Sequence, residues 1–237
     1  ITGTDPNNYI WYSGKLWRAV SIDPSDNSVK LVTQWNISSI PYNAENNTAF
    51  KGGYMEQWLN DTSVDGFLGN LREADKFIKT DSVWNATMTT ETTKPEKTTM
   101  VTDAVGLLNT YEYTMSYKSA TDSTGYLNNG LYWWTLTPYS TLLVRSVNIY
   151  GNGPSFSPTD SLGSRPSINL KSAVKIIDGD GTVDNPYRLQ SDNESPTGAL
   201  LSTRYSGEYI SFGTGENNLY RIVSHENGTG TKITSAI

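Results

Sequence analysis

Cysteine is absent from the 237 residues, histidine occurs once, and no run of about 18 apolar residues is found. The first absence removes disulfide scaffolds, thiolate metal sites and thiol nucleophiles. With His225 alone, a zinc site has no second imidazole, and histidine-activated serine chemistry would rest on that one residue. Its place in the polar turn of a C-terminal hairpin predicts a surface side chain. The third absence excludes a membrane-spanning helix within these residues. Positive charge is also short: 18 Lys and Arg against 24 Asp and Glu leave −6, so there is no electrostatic footprint for nucleic acid or anionic lipid. Neither nucleic acid nor membrane insertion by this segment is expected.

What is abundant is Ser, Thr, Asn, Gly and aromatic residues, including 15 Tyr and 7 Trp. That balance fits the outside of a Gram-positive cell. Within it one phrase occurs twice. Tyr9-Ile10, a Gly-containing turn and Leu16-Trp17-Arg18-Ala19-Val20-Ser21 are answered by Tyr209-Ile210, a Gly turn and Leu219-Tyr220-Arg221-Ile222-Val223-Ser224. Further on, Lys30-Leu31-Val32-Thr33 is answered by Lys232-Ile233-Thr234-Ser235. Aromatic and β-branched residues around a Gly/Ser/Asn turn predict β-hairpins. The repeat spacing is a domain rather than a solenoid unit. The expectation is one complete repeat over 1–190, a polar linker over 191–198, and the opening β-hairpin of a second repeat over 199–237, in a piece of a longer protein.

Along the first repeat, residues 9–34 read as a hairpin and 35–53 as loop. Met55, Trp58 and Leu59 predict a short helix over 54–60. Phe67, Leu68, Leu71, Phe77 and Ile78 predict an amphipathic helix over 65–78. Residues 87–99 read as an exposed, mobile loop. A third helix is predicted from Thr102 as its cap, with Ala104, Leu107, Leu108 and Tyr111 on one face. From 126 to about 190 the pattern is strands and turns. The fold class is therefore α+β, with small antiparallel sheets and two or three helices.

Carboxylates such as Glu56, Asp61, Asp103 and Glu112 fall on predicted helix faces or caps, which accounts for them without an acid–base pair. In the segment 176–189, Asp178, Asp180 and Asp184 with two glycines resemble the first half of an oxygen-rich calcium loop. The same residues are ordinary turn formers, and no terminal bidentate Glu follows. Calcium is the one cofactor this chain brings into question; otherwise none is implied. Trp133 and Trp134 fall on opposite faces of a strand, so one is expected in the core and Trp134 is a candidate for stacking on a ligand. Arg145 and Arg165 are placed to tie loop carbonyls together with their planar forks. The Gly/Pro-broken stretch 140–164 holds exposed candidates, and a recognition surface is expected from Trp134, Tyr139, Arg145, Tyr150, Asn152 and Phe156.

Taken in order, GLYWWTLTPYS, VRSVNIYGNG, LGSRPSINLKSAVKII and GDGTVDNPYRL resemble a family of uncharacterised extracellular domains of Gram-positive bacteria, found in surface and type IV pilin-like proteins. The resemblance covers residues 9–190 and restarts at 205–235. The W-W-T-L-T-P, V-R-S-V and G-S-R-P succession is more loosely similar to the C-type-lectin-like and formylglycine-generating-enzyme-like folds, which implies small twisted sheets displaying a variable loop region. The lectin calcium signatures Glu-Pro-Asn and Gln-Pro-Asp are missing, as are the cysteines of the formylglycine-generating enzymes, so neither activity carries over. Three expectations follow. The first is a non-enzymatic cell-surface or adhesin module that binds a glycan, a wall polymer or a protein. The second is a structural repeat of a pilus or filament that contacts copies of itself. The third is an enzyme on a lectin-like scaffold.

Overall fold

Ser13 and Gly14 take φ of 51° and 70°, which closes a two-residue turn between the strands Tyr9–Tyr12 and Lys15–Ile22. Positive φ at both positions gives the turn the twist that hairpin strands share. Tyr9 faces Arg18, Ile10 faces Trp17 and Trp11 faces Leu16. A polar turn follows, in which the Asp23 carboxylate accepts from the N–H and hydroxyl of Ser25, and the chain returns as Val29–Thr33. The expected hairpin is thus a three-stranded meander.

The structure is a computed structural model that describes residues 1–119, 122–191, 200–226 and 230–236. Among the described residues strand is the dominant element, at 34% against 10% helix in three helices, an architecture compatible with α+β. The meander forms the centre of a seven-stranded sheet. Its order is Ile176–Asp178, Tyr187–Leu189, Tyr9–Tyr12, Lys15–Ile22, Val29–Thr33, Ser167–Leu170 and Val105–Gly106. Tyr187–Leu189 runs parallel to Tyr9–Tyr12, so the start and finish of the first repeat lie side by side. A five-stranded sheet follows the order Ser155–Phe156, Val144–Val147, Trp133–Pro138, Ser161–Ser164 and Ser38–Pro41. Pro166 stands where the chain leaves the second sheet at Ser164 for the first at Ser167.

Two apolar clusters hold the sheets. The larger contains Ile10, Trp17, Leu31, Met55, Phe77, Trp84, Trp134 and Ile168, and the smaller contains Val20, Val32, Tyr113, Tyr126, Leu127 and Trp133. The two tryptophans do point to opposite faces of their strand. Both faces are covered, however, and every residue of Trp133–Pro138 is buried.

The helix Tyr54–Asn60 lies where the sequence places it, entered through Gly52 at φ 78°. The helix expected over 65–78 is replaced by a 3₁₀ turn, Leu68–Asn70, and one helical turn, Ala74–Phe77. Glu73 at φ 46° separates them. Gly66 and Gly69 press against the backbone of Asp61, Thr62 and Ser63, where a Cβ would collide, so the segment folds back on the end of the first helix. Its apolar residues are buried by that reversal rather than by helical periodicity. The helix expected from Thr102 is also corrected. Met100–Thr102 pairs with Val83–Asn85, Val105–Gly106 joins the large sheet, and the helix Thr110–Thr114 starts later. Asn109 caps it and exchanges hydrogen bonds with Glu112, a capping box. Residues 87–99 form no regular element, yet they are tied in. Thr87 Oγ1 accepts from the N–H groups of Thr98 and Thr99.

The linker expected over 191–198 lies, Ser191 apart, outside the described residues. Beyond it stand three antiparallel strands, Tyr209–Ser211, Leu219–Glu226 and Gly230–Ser235, where the sequence led to a single hairpin. Their register reproduces the first meander. Tyr209 faces Arg221 and Ile210 faces Tyr220, as Tyr9 faces Arg18 and Ile10 faces Trp17. Ile222 faces Ile233 and Ser224 faces Lys232, as Ala19 faces Leu31 and Ser21 faces Lys30. Both pairings carry their irregularity at the same place, Val20 in one and Val223 in the other. Ile222 N–H donates to Glu208 O as Ala19 N–H donates to Asn8 O, and each Arg lies over its facing Tyr, at 5.2 Å and 3.6 Å. Resemblance between two unrelated hairpins does not extend to a shared bulge and a shared cation–π pair.

Candidate functional site

The residues expected to form a recognition surface divide between core and exterior. Trp134 is corrected: its ring is wholly buried, its Nε1–H donates to Ile40 O at 3.1 Å and it packs edge-on to Tyr42 at 5.7 Å. The alternation of a strand identifies which face a side chain takes, but not whether that face is covered. Arg145 is buried as well, with its Nε and Nη2 donating to Thr89 O and Thr90 O and its guanidinium 5.0 Å from the Tyr139 ring. Burial first, opposed by Tyr139 and Glu91, draws its pKa below the ordinary value. Arg145 therefore ties the loop 87–99 to the sheet, the role its planar fork suggested.

Outside, Asn148 Oδ1 accepts from the N–H groups of Tyr150 and Asn152, and Gly151 at φ 82° turns the chain between them. Tyr113 Oη donates to Gly151 O and anchors this turn to the smaller core cluster. Tyr150 is left 74% exposed at its tip, with Asn152 exposed beside it. Phe156 is half-buried and meets Tyr132 edge-on at 6.0 Å. Tyr139, Tyr150, Asn152 and Phe156 thus border the five-stranded sheet as separate contacts around rigid strands.

The acidic loop closes on itself. Asp180 Oδ1 accepts from the N–H and hydroxyl of Thr182, and Asp178 Oδ1 accepts from Gly179 N–H. The two bonds from Thr182 lower the Asp180 pKa. Among the described residues no group of three or more His, Asp or Glu is gathered as a metal site, so Asp178, Asp180 and Asp184 form a turn rather than a ligand cluster. His225 also departs from expectation: it sits within the strand Leu219–Glu226 and is partly buried. Its Nε2 lies against Arg204 O, which only accepts, so Nε2 carries the proton and Nδ1 accepts from the Thr231 hydroxyl.

A second feature was not legible beforehand. The tip of the first hairpin and the second meander meet around a cavity of about 560 Å³ lined by Trp11, Arg72, Arg188, Arg204, Glu208 and Tyr209. Trp11 stacks on Tyr209 at 5.9 Å and 28°, and Arg221 Nη2 donates to Gly14 O at 2.7 Å. Gly14 and Gly207, at φ 70° and 90°, lie backbone to backbone, so a Cβ on either would overlap the other. Lys15 Nζ bridges Ser13 O and Ser206 O across the seam. Burial, reinforced by Arg221 and opposed by Glu208, lowers its pKa to about 8.

That shift has a sign. A lysine whose folded pKa is lowered binds fewer protons folded than unfolded between about 8 and its ordinary 10.5, so stability rises with pH across that window. Docking of residues 205–236 is expected to tighten as the pH rises from about 8 to 10.5, and Lys15→Met is expected to flatten the dependence. Proteolytic protection of the segment against pH measures it; a pH-independent wild type contradicts it.

No family model, no curated protein and no solved structure matches this chain.

Proposed function

We propose that this chain is a non-enzymatic, repeat-built module of an extracellular, cell-surface or adhesive protein, carried on a C-type-lectin-like scaffold. The observation that carries this reading is the second meander, which reproduces the first in register, bulge and Tyr–Arg pair. Tandem copies of one domain suit a surface stalk or adhesin, because each copy presents the same loops again along the chain. Support for the scaffold comes from the parallel pairing of Tyr9–Tyr12 with Tyr187–Leu189, which closes the domain and leaves the loops between them to project from the sheets. The one histidine has both ring nitrogens engaged, which also favours a binding or structural role.

The ligand in this reading is a glycan, a wall polymer or a protein, met by Tyr139, Tyr150, Asn152 and Phe156. Exposed aromatic rings on turns anchored to a sheet give contact area at small entropic cost. The test is a panel of glycans and wall polymers followed by Trp fluorescence and a surface assay, with and without calcium. Saturable binding that falls at least tenfold (about 1.4 kcal/mol) in Tyr150→Ala, with unchanged thermal unfolding, is the expected result. Binding that survives Tyr150→Ala and Phe156→Ala together removes this surface from consideration.

A second reading, a structural repeat of a pilus or filament, is favoured by the glycine contact between the repeats. Light scattering that shows concentration-dependent self-association, with no ligand found on the panel, would select it.

A further inference from the structure

Asn precedes Gly three times, at Asn129–Gly130, Asn152–Gly153 and Asn227–Gly228. The last pair lies outside the described residues. In such a pair no Cβ stands between the Gly nitrogen and the Asn carboxamide carbon, so attack of one on the other can close a five-membered imide.

The two described pairs are held in opposite ways. At the first, every reacting group is engaged: Asn129 Nδ2 donates to Gln34 O at 3.2 Å, Asn129 Oδ1 accepts from Leu131 N–H at 3.2 Å, and Gly130 N–H donates to Asn128 Oδ1 at 3.1 Å. At the second, only the backbone of Asn152 is fixed. Asn152 N–H donates to Asn148 Oδ1 and Asn148 N–H donates to Asn152 O, each at 2.9 Å. Asn152 and Gly153 are exposed, and among the described residues neither the Asn152 carboxamide nor Gly153 N–H has a hydrogen-bond partner. The bond on Asn152 O polarises the peptide that follows it and makes the Gly153 N–H more acidic. A cation stands beside the pair. Arg145 Nη1 lies 3.8 Å from the position a Cβ on Gly153 would take, and it makes no hydrogen bond among the described residues, whereas Nε and Nη2 donate to Thr89 O and Thr90 O.

We propose that Asn152–Gly153 is a site of self-modification, which converts to aspartate and isoaspartate, and that Arg145 takes the new carboxylate as its ion-pair partner. Gly153 N gives its proton to a solvent base and bonds to Asn152 Cγ. The Cγ–Nδ2 bond breaks and ammonia leaves, with a succinimide as the intermediate. Water then opens the ring. Opening on the side-chain carbonyl leaves aspartate, and opening on the main-chain carbonyl leaves isoaspartate, whose main chain is longer by one methylene. Water enters and ammonia leaves; nothing is oxidised or reduced. Either product adds a negative charge two residues from Tyr150. The chemistry does not depend on whether this surface binds a ligand.

The experiment holds the full chain folded in mildly alkaline buffer and maps its peptides at intervals. Mass reports the amide-to-acid change, and isoaspartate methyltransferase labels the β-linked product. Conversion at Asn152 is expected to be at least about tenfold faster than at Asn129, and denaturant should close the gap by releasing the three bonds at Asn129–Gly130. Gly153→Ala is expected to slow Asn152 by about tenfold with unchanged thermal unfolding, because Gly153 is not among the positive-φ glycines and nothing lies nearer than 3.8 Å to its Cβ position. The new carboxylate is expected to titrate lower in the folded chain than in the denatured one. Equal rates at the two asparagines in the folded chain, or an Asn152 that does not convert, overturns the site. A new carboxylate that titrates alike in both states overturns its pairing with Arg145.

Discussion

Arg165→Ala is expected to destabilise the first repeat by about 3–5 kcal/mol, enough to unfold much of the population near physiological temperature. The side chain is almost wholly buried at the crossover between the two sheets, and among the described residues no carboxylate pairs with it. Its Nε donates to Thr33 O at 2.9 Å in one sheet, its Nη1 donates to Leu127 O at 2.6 Å, and its guanidinium lies 4.6 Å from the Trp133 ring in the other. Burial is the main cause that draws its pKa down to about 9, still leaving it charged at neutral pH. Truncation to Ala strands two buried carbonyls, at about 1–3 kcal/mol each, and opens a cavity beside Trp133. Arg165→Lys is expected to recover only part of the loss, because one ammonium cannot reach two carbonyls along the directions of a planar fork. Urea unfolding with an unchanged slope measures both variants. A loss below about 1 kcal/mol for Arg165→Ala would show that the crossover does not depend on this residue.

Gly207→Val is expected to release residues 205–236 while the first repeat keeps its stability to within about 0.5 kcal/mol. Two effects combine. A β-branched residue at φ 90° is strained by about 1–3 kcal/mol, and its Cβ would overlap Gly14 O at the seam. The stack of Trp11 on Tyr209 and the bond from Arg221 to Gly14 O depend on that close approach and are lost with it. Among the described residues of 205–236 Ile222 is the one fully buried apolar side chain, so the freed meander has no hydrophobic face of its own to hold it and the segment should become protease-sensitive. Gly213→Val separates strain from collision: Gly213 is also at φ 90°, with nothing within 4 Å of its Cβ position. It is expected to leave docking intact. If Gly213→Val releases the segment as readily as Gly207→Val, the glycine contact is not what holds the repeats together.

The repeat was legible because strand pairing in a meander is local: an aromatic-Ile strand, a glycine turn and a Leu-aromatic-Arg strand fix their own register over some 25 residues. The helix Tyr54–Asn60 was legible for the same reason. The segments 65–78 and 102–111 were not, since the burial of Phe67, Leu71, Leu107 and Leu108 comes from distant partners and mimics helical spacing by coincidence. Trp134 was misplaced because strand alternation does not reveal that both faces of a sheet are covered. For the acidic loop the sequence left a turn and a calcium site open. Asp180 is engaged by its own turn, an arrangement that local sequence shares with a true ligand loop. The inter-repeat seam has no local signature at all, because Gly14 and Gly207 are brought together only by the packed domain.

Whether residues 205–236 are a second copy of the opening meander is tested directly by cross-strand Hα–Hα contacts in the isotope-labelled full chain. Both Ala19–Leu31 and Ile222–Ile233 are non-hydrogen-bonded pairs, as are Tyr9–Arg18 and Tyr209–Arg221, so four strong contacts are predicted, two from each copy at equivalent places. Contacts at Tyr9–Arg18 and Ala19–Leu31, with none at Tyr209–Arg221 or Ile222–Ile233, or with the second set shifted by one residue, would contradict it.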